Sequence, residues 1–131
     1  MPTALIEVRC QYSQEKEGSL IDAVHRAMVE GLKIPEDDRV VRLVVHAPHR
    51  FACPPAKSCP DLYTLISIDM FLGRSIEAKR NLYRAIVNNL ALLGIPKDHV
   101  LIKLNEIAKE NWGLQGGKPG SEVDLGFKVE V

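Results

Sequence analysis

At 131 residues, with 17 basic and 17 acidic side chains, the chain is long enough for one domain with a real core and carries no net charge. That balance excludes the electrostatic footprint of a protein built to bind nucleic acid or an anionic membrane. No apolar run approaches the ~20 residues that span a bilayer, and residues 1–20 lack the basic start and uninterrupted apolar block of a signal peptide.

The three cysteines, Cys10, Cys53 and Cys59, form an odd set without CxxC spacing. They argue against a disulfide framework and for a reducing cytoplasm. His46, His49, Cys53 and Cys59 match no common zinc spacing, and they sit in a proline-filled loop, so no metal is expected.

In chain order, residues 3–10 read as a strand. Ser13 can cap a helix over about 14–32, with Leu20, Ile21, Val24, Ala27, Met28 and Leu32 on one face, and Ile34-Pro35 stops it. Residues 39–46 are a strand rich in β-branched side chains. Residues 47–61 hold Pro48, Pro54, Pro55 and Pro60, which bar them from a central strand. They are expected outside the sheet, bordering the site. A third strand covers 62–71, and Gly73 turns the chain. Ser75 can cap a second helix reaching about Leu93, and Ile95-Pro96 stops that one. A fourth strand covers 99–106. A turn with Gly113, Gly116, Gly117 and Gly120 leads to Val123-Leu125-Phe127-Val129-Val131, whose strict alternation predicts a half-buried strand.

The two halves repeat one unit. At an offset of 61 residues the chain matches itself without a gap: Thr3 meets Thr64, Leu32 meets Leu93, Ile34-Pro35 meets Ile95-Pro96, and Asp37 meets Asp98. The duplication covers approximately 2–46 and 63–107, within a single domain of residues 1–131 whose segment 112–131 would be a C-terminal clasp. Each half is a β-α-β unit of a length that allows a right-handed crossover. The expected fold is α/β: a four-stranded mixed sheet with two helices on one face. The second sheet face, assigned to Ala4, Ile6 and Val8 opposite Leu5, would need another copy of the chain to cover it. A homo-oligomer is therefore expected.

The Met1-Pro2 start gives this duplication a chemical consequence. An initiator methionine before proline is generally removed, and a terminal proline is a rigid secondary amine that can act as base or nucleophile. If the first and third strands pair antiparallel, Pro2 lies beside Gly73-Arg74-Ser75. There the second helix offers unpaired N–H groups, and Arg74 adds a fork for a carboxylate. At the pseudo-equivalent corner, Tyr63 and Ser13, the chain is continuous and no amine is free. One site per chain follows.

These features resemble the tautomerase superfamily: the Met-Pro start, the tandem β-α-β units, and Gly73-Arg74-Ser75 opening the second helix. Ile34-Pro35-Glu36-Asp37-Asp38-Arg39, Tyr63 through Ser75 and Asn111-Trp112-Gly113 are most similar to the branch that contains malonate semialdehyde decarboxylase. The resemblance implies a homotrimer of fused units, cofactor-independent chemistry and an amino-terminal catalytic proline. It places the decarboxylase's aspartate on Asp38 and one substrate-binding arginine on Arg74. The second arginine falls on Leu72, and that of the family's dehalogenases on Phe71. Both positions are apolar here, which argues against decarboxylation and dehalogenation.

The function these residues imply is keto–enol tautomerisation of a small unsaturated or 2-oxo carboxylic acid. Pro2 would be the base, Arg74 the carboxylate or enolate partner, and Asp38 a third catalytic group. Trp112 lies near the site by resemblance, and Arg42 or Arg50 could replace the missing arginine. His25 is expected at the surface. The alternatives are decarboxylation or hydration of a 3-oxo acid, and a non-enzymatic trimer of the same fold.

Overall fold

The computed structural model describes residues 1–131. The elements run β1 (Pro2–Val8), α1 (Gln14–Leu32), β2 (Val41–Val45), β3 (Thr64–Phe71), α2 (Ile76–Ala91) and β4 (Val100–Ile107). A short hairpin of β5 (Gly113–Leu114) and β6 (Lys118–Pro119) follows. The capping residues act as their chemistry predicts. Ser13 Oγ accepts from the Lys16 amide at 3.1 Å, and Ser75 Oγ accepts from the Ala78 amide at 3.1 Å. The second helix ends at Ala91, two residues earlier than its apolar pattern implies, and the chain turns through Gly94 at φ 93° before Ile95-Pro96.

The sheet order is β2-β1-β3-β4. Strands β1 and β3 pair antiparallel in the centre, and each outer strand pairs parallel with the first strand of its own β-α-β unit. The register sets Pro2 opposite Met70 and Val8 opposite Thr64. Both helices cover one face. Ala4, Ile6, Val8, Ile66, Ile68 and Met70 are buried against Leu20, Val24, Met28, Leu82, Ile86 and Leu90.

The helices approach so closely that a Cβ at Gly31 would lie 2.7 Å from the Leu82 Cα. No backbone atom can yield that distance cheaply. Gly31→Ala should therefore destabilise the fold by about 1–3 kcal/mol through overpacking, read as a lower denaturation midpoint with an unchanged slope.

Three expectations need correction. Ala4, Ile6 and Val8 face the helices, not the open side. The open face carries Leu5, Leu65, Val44 and Leu101 interleaved with Glu7, Arg42, Ser67 and Lys103, so it is mixed. The period of two holds in β1, with its two faces exchanged.

The loop at 47–61 does lie outside the sheet, in two 3-10 turns (Pro48–Arg50 and Pro60–Leu62) tied together by Arg9. One Arg9 nitrogen donates to the Pro60 carbonyl at 2.7 Å and the other to the Pro48 carbonyl at 3.4 Å. However, this loop joins the end of β2 to the start of β3, whereas Pro2 stands beside the end of β3. The length of β1, roughly 20 Å, separates them within one chain, so the loop does not border the Pro2 end.

The tail 123–131 joins no ladder of this chain. Its side chains still alternate: Val123, Leu125, Phe127, Val129 and Val131 are buried or half-buried, and the residues between them are exposed. The alternation signals packing of an extended segment across the Pro2 end of the sheet rather than strand pairing. The only C-terminal strands are the two short ones of the hairpin, turned by Gln115, Gly116 and Gly117 at positive φ.

Candidate active site

Strand pairing puts the start of β1 beside the end of β3, and β3 leads directly into Gly73 (φ 125°), Arg74 and the Ser75 cap of α2. The third contributor comes from the connection after α1. Lys33 caps that helix in the left-handed region, Ile34 is buried, and the Asp38 amide donates to the Pro35 carbonyl at 3.1 Å. This turn delivers Asp38 to the amino terminus, where its carboxylate forms an ion pair with the Met1 ammonium.

His25 holds the turn from below. It is 5% exposed, not at the surface as expected, and its Nε2 lies 2.8 Å from the Glu36 carbonyl oxygen. A carbonyl only accepts, so Nε2 carries the proton. His25→Ala should cost about 1–2 kcal/mol and let the turn fray, read as faster hydrogen exchange of the Asp38 amide.

Arg74 is also 5% exposed, and none of its three guanidinium nitrogens has a hydrogen-bond partner. Burial holds its pKa below the usual arginine value, against the opposing pull of Asp38, Glu106 and Glu130. A buried guanidinium with five unsatisfied N–H groups is costly in a free protein, and an anion is the partner it lacks. The C-terminal segment lies over it. The Ser75 amide donates to the Val131 oxygen at 2.9 Å, Val129 is 1% exposed, and a Cβ on Gly73 would lie 3.4 Å from the Val129 side chain.

Asp38, whose charge acts on this buried cation, also lines a cleft of about 240 Å³. Met1, Pro35, Asp37 and Asp38 form one wall, and Leu114 and Gln115 of the hairpin with Leu125 and Phe127 of the tail form the other. Pro2 is buried under Met1, at the head of β1. Arg74 does not line the cleft. The expectation that Pro2 and Arg74 share one concave wall is corrected to a layered arrangement, with Arg74 buried beneath Asp38 and the tail.

The remaining candidates separate. Phe71 is fully buried with its ring 5.1 Å from that of Trp112, edge to face, and Trp112 Nε1 donates to the Ile107 carbonyl at 3.3 Å. This pair caps the end of the sheet. Leu72 is 49% exposed at the same corner. Arg42 is exposed opposite Leu5 on the open face, away from the cleft, and Arg50 lies in the far loop.

Asp37, Leu125 and Phe127 as cleft residues, and Val129–Val131 as the cover at the Gly73–Ser75 corner, are not among the residues the sequence points to. The alternating tail was the available signal. The duplication held one more: Asp38 has His99 as its counterpart at the same offset. His99 is fully buried, its Nε2 accepts from the Cys59 amide at 3.1 Å, and its Nδ1 donates to Asp98 at 2.7 Å. That bond holds the Asp98 carboxyl below the usual range. The second corner therefore uses a histidine to hold a continuous chain where the first uses a carboxylate to hold a chain terminus.

The three cysteines are free thiols, no group of three or more His, Cys, Asp or Glu is clustered to hold a metal ion, and no helix is long and apolar enough to cross a membrane.

The family model for the tautomerase enzymes matches residues 38–115. A Bacillus subtilis (strain 168) protein named "Probable tautomerase YusQ" is 27% identical over 122 residues, covering 90% of this chain and 96% of that one. The solved FG41 malonate semialdehyde decarboxylase, inhibited by 3-bromopropiolate, is 30% identical with a TM-score of 0.78, covering 89% of this chain and 92% of that one. The R7 fused 4-OT, an asymmetric trimer, shares the fold at a TM-score of 0.80 and 22% identity, over 91% of this chain and 96% of that one.

Proposed function

The chain belongs to the tautomerase family, and on that premise we propose that it is a cofactor-independent keto–enol tautomerase of a small unsaturated or 2-oxo carboxylic acid. The observation that carries the reading is Arg74, a buried guanidinium with three unpartnered nitrogens at the head of α2, one turn of chain from the strand that pairs with Pro2. A structural arginine would have its acceptors inside the protein. This one has Asp38, Glu106 and Glu130 near enough to act on its charge but none within hydrogen-bond reach, and a substrate carboxylate supplies the missing acceptor.

In the reaction, removal of Met1 frees the Pro2 amine and vacates the part of the cleft that Met1 fills. The amine takes the proton of the enol hydroxyl or of an α-carbon and returns it to another carbon. Arg74 holds the carboxylate and steadies the enolate as it forms. Asp38, beside the amine, orients it and favours its charged form, while the nearby Arg74 cation favours the neutral one.

The sign of the Asp38 effect separates this reading from its nearest rival. If neutral Pro2 is the base, Asp38→Asn lowers the amine pKa and moves the acid limb of the kcat/KM profile to lower pH. If a cationic Pro2 polarises the carbonyl of a 3-oxo acid for decarboxylation, the same change removes activity at neutral pH. The ion pair between Asp38 and the amino terminus favours that second reading. The apolar Phe71 and Leu72, where the family's second arginines stand, oppose it. The test is ketonisation of phenylenolpyruvate beside decarboxylation of malonate semialdehyde, across pH, for both proteins.

We also propose a homotrimer, with the open sheet face as its centre. Val44 and Leu101 are 42% and 50% exposed there in the single chain, and the R7 fused 4-OT is a trimer. Light scattering at micromolar concentration should give three times the chain mass. A stable monomer would remove the proposal.

A further inference from the structure

We infer that the cleft selects carboxylates with a single charge and an apolar body and turns dicarboxylates away, with Asp37 as the residue that sets this preference; this rests on the reading of Arg74 as the carboxylate partner. The argument is one of charge and polarity along the cleft. Beneath its Asp38 wall, outside the lining itself, lies Arg74, a buried cation without a hydrogen-bond partner. No lysine or arginine lines the cleft, and once Met1 is removed the Pro2 amine is the neutral base of the proposed reaction rather than a second cation. Pro35, Leu114, Leu125 and Phe127 supply the walls. Asp37 also lines the cleft and is exposed.

A substrate whose carboxylate reaches toward Arg74 must lay the rest of its length against these apolar walls. An apolar cavity of about 150 Å³ suffices for benzene, so 240 Å³ holds an aryl or branched aliphatic body with its oxo or hydroxyl group. A second carboxylate at the far end would be stripped of water against Leu125 and Phe127, and the one amide donor on that wall, Gln115 Nε2, is turned to the Asp124 carbonyl at 3.4 Å. It would also face Asp37. Because Asp37 is exposed, solvent screens that repulsion, so it accounts for a several-fold part of the discrimination and desolvation for the larger part.

Sorbate and trans,trans-muconate test this directly. They share a six-carbon diene acid frame and differ in a terminal methyl against a terminal carboxylate, and neither has an enol to convert. Calorimetric titration of the protein with Met1 removed should show sorbate binding roughly thirtyfold or more tighter than muconate. Asp37→Lys should tighten muconate by about tenfold and leave sorbate within twofold. Arg74→Met should weaken sorbate binding roughly ten- to a hundredfold. Equal or tighter muconate binding, an unchanged muconate affinity in Asp37→Lys, or no binding of either acid at millimolar concentration overturns the inference. Binding needs no turnover, so a protein that prefers sorbate but fails to ketonise an enol sinks the tautomerase reading alone. Turnover with no preference for the single charge sinks this inference alone.

Discussion

Arg74→Met is expected to stabilise the free protein and disable it. Methionine has a similar length and no charge, so the substitution removes a buried cation whose nitrogens find no acceptor. Replacing such a group by an apolar side chain of like volume stabilises by about 1–3 kcal/mol. The same change deletes the charge-assisted bond to the substrate carboxylate, a loss of about 1.5–3 kcal/mol, or roughly ten- to a hundredfold in kcat/KM. It also raises the Pro2 amine pKa, because the cation that disfavours its protonation is gone. The acid limb of the pH profile should therefore move to higher pH, opposite to Asp38→Asn. Stability and activity moving in opposite directions is the signature of a residue kept for function. An arginine kept for folding would lose both. The measurement pairs a thermal or denaturant midpoint with kcat/KM on the same preparation.

Pro2→Ala is the second large effect. Alanine at position 2 still permits removal of Met1, so a primary amine remains at the same place in the register, opposite Met70. What is lost is the ring that fixes the direction of the nitrogen. General acid–base catalysis by a positioned group contributes about 10²–10⁴-fold, and most of that should disappear from kcat. Binding of an unreactive carboxylate should change little, because Arg74 and the apolar walls are untouched. A fall in affinity as large as the fall in kcat would mean that Pro2 shapes the cleft and is not the base.

Much of this arrangement was legible because duplication is legible. The ungapped match at 61 residues, with Ile34-Pro35 on Ile95-Pro96, places two β-α-β units side by side. Antiparallel pairing of β1 with β3 then brings Pro2 to the Arg74 corner before any distance is known. Period two gave the strands but not which face each side would take, since Leu5 and Ile6 are equally apolar and only the helices decide between them. The far loop misled for a topological reason: proline content says that a segment leaves the sheet, not at which end. His25 misled because its one bond is to the Glu36 carbonyl, and a backbone acceptor leaves no mark in the sequence. The layering of Arg74 beneath the tail was illegible for the same reason. The alternation of Val123 through Val131 announced a buried edge, and only the fold says that what it buries is a cation.

The most direct test of the central claim is the rate of phenylenolpyruvate ketonisation measured on preparations whose intact mass reports the fraction of chains that have lost Met1. The account predicts a rate proportional to that fraction, extrapolating to the uncatalysed rate when every chain retains Met1 and keeps Asp38 paired to its ammonium. A rate independent of the fraction, or no catalysis when Pro2 is free in every chain, would contradict it.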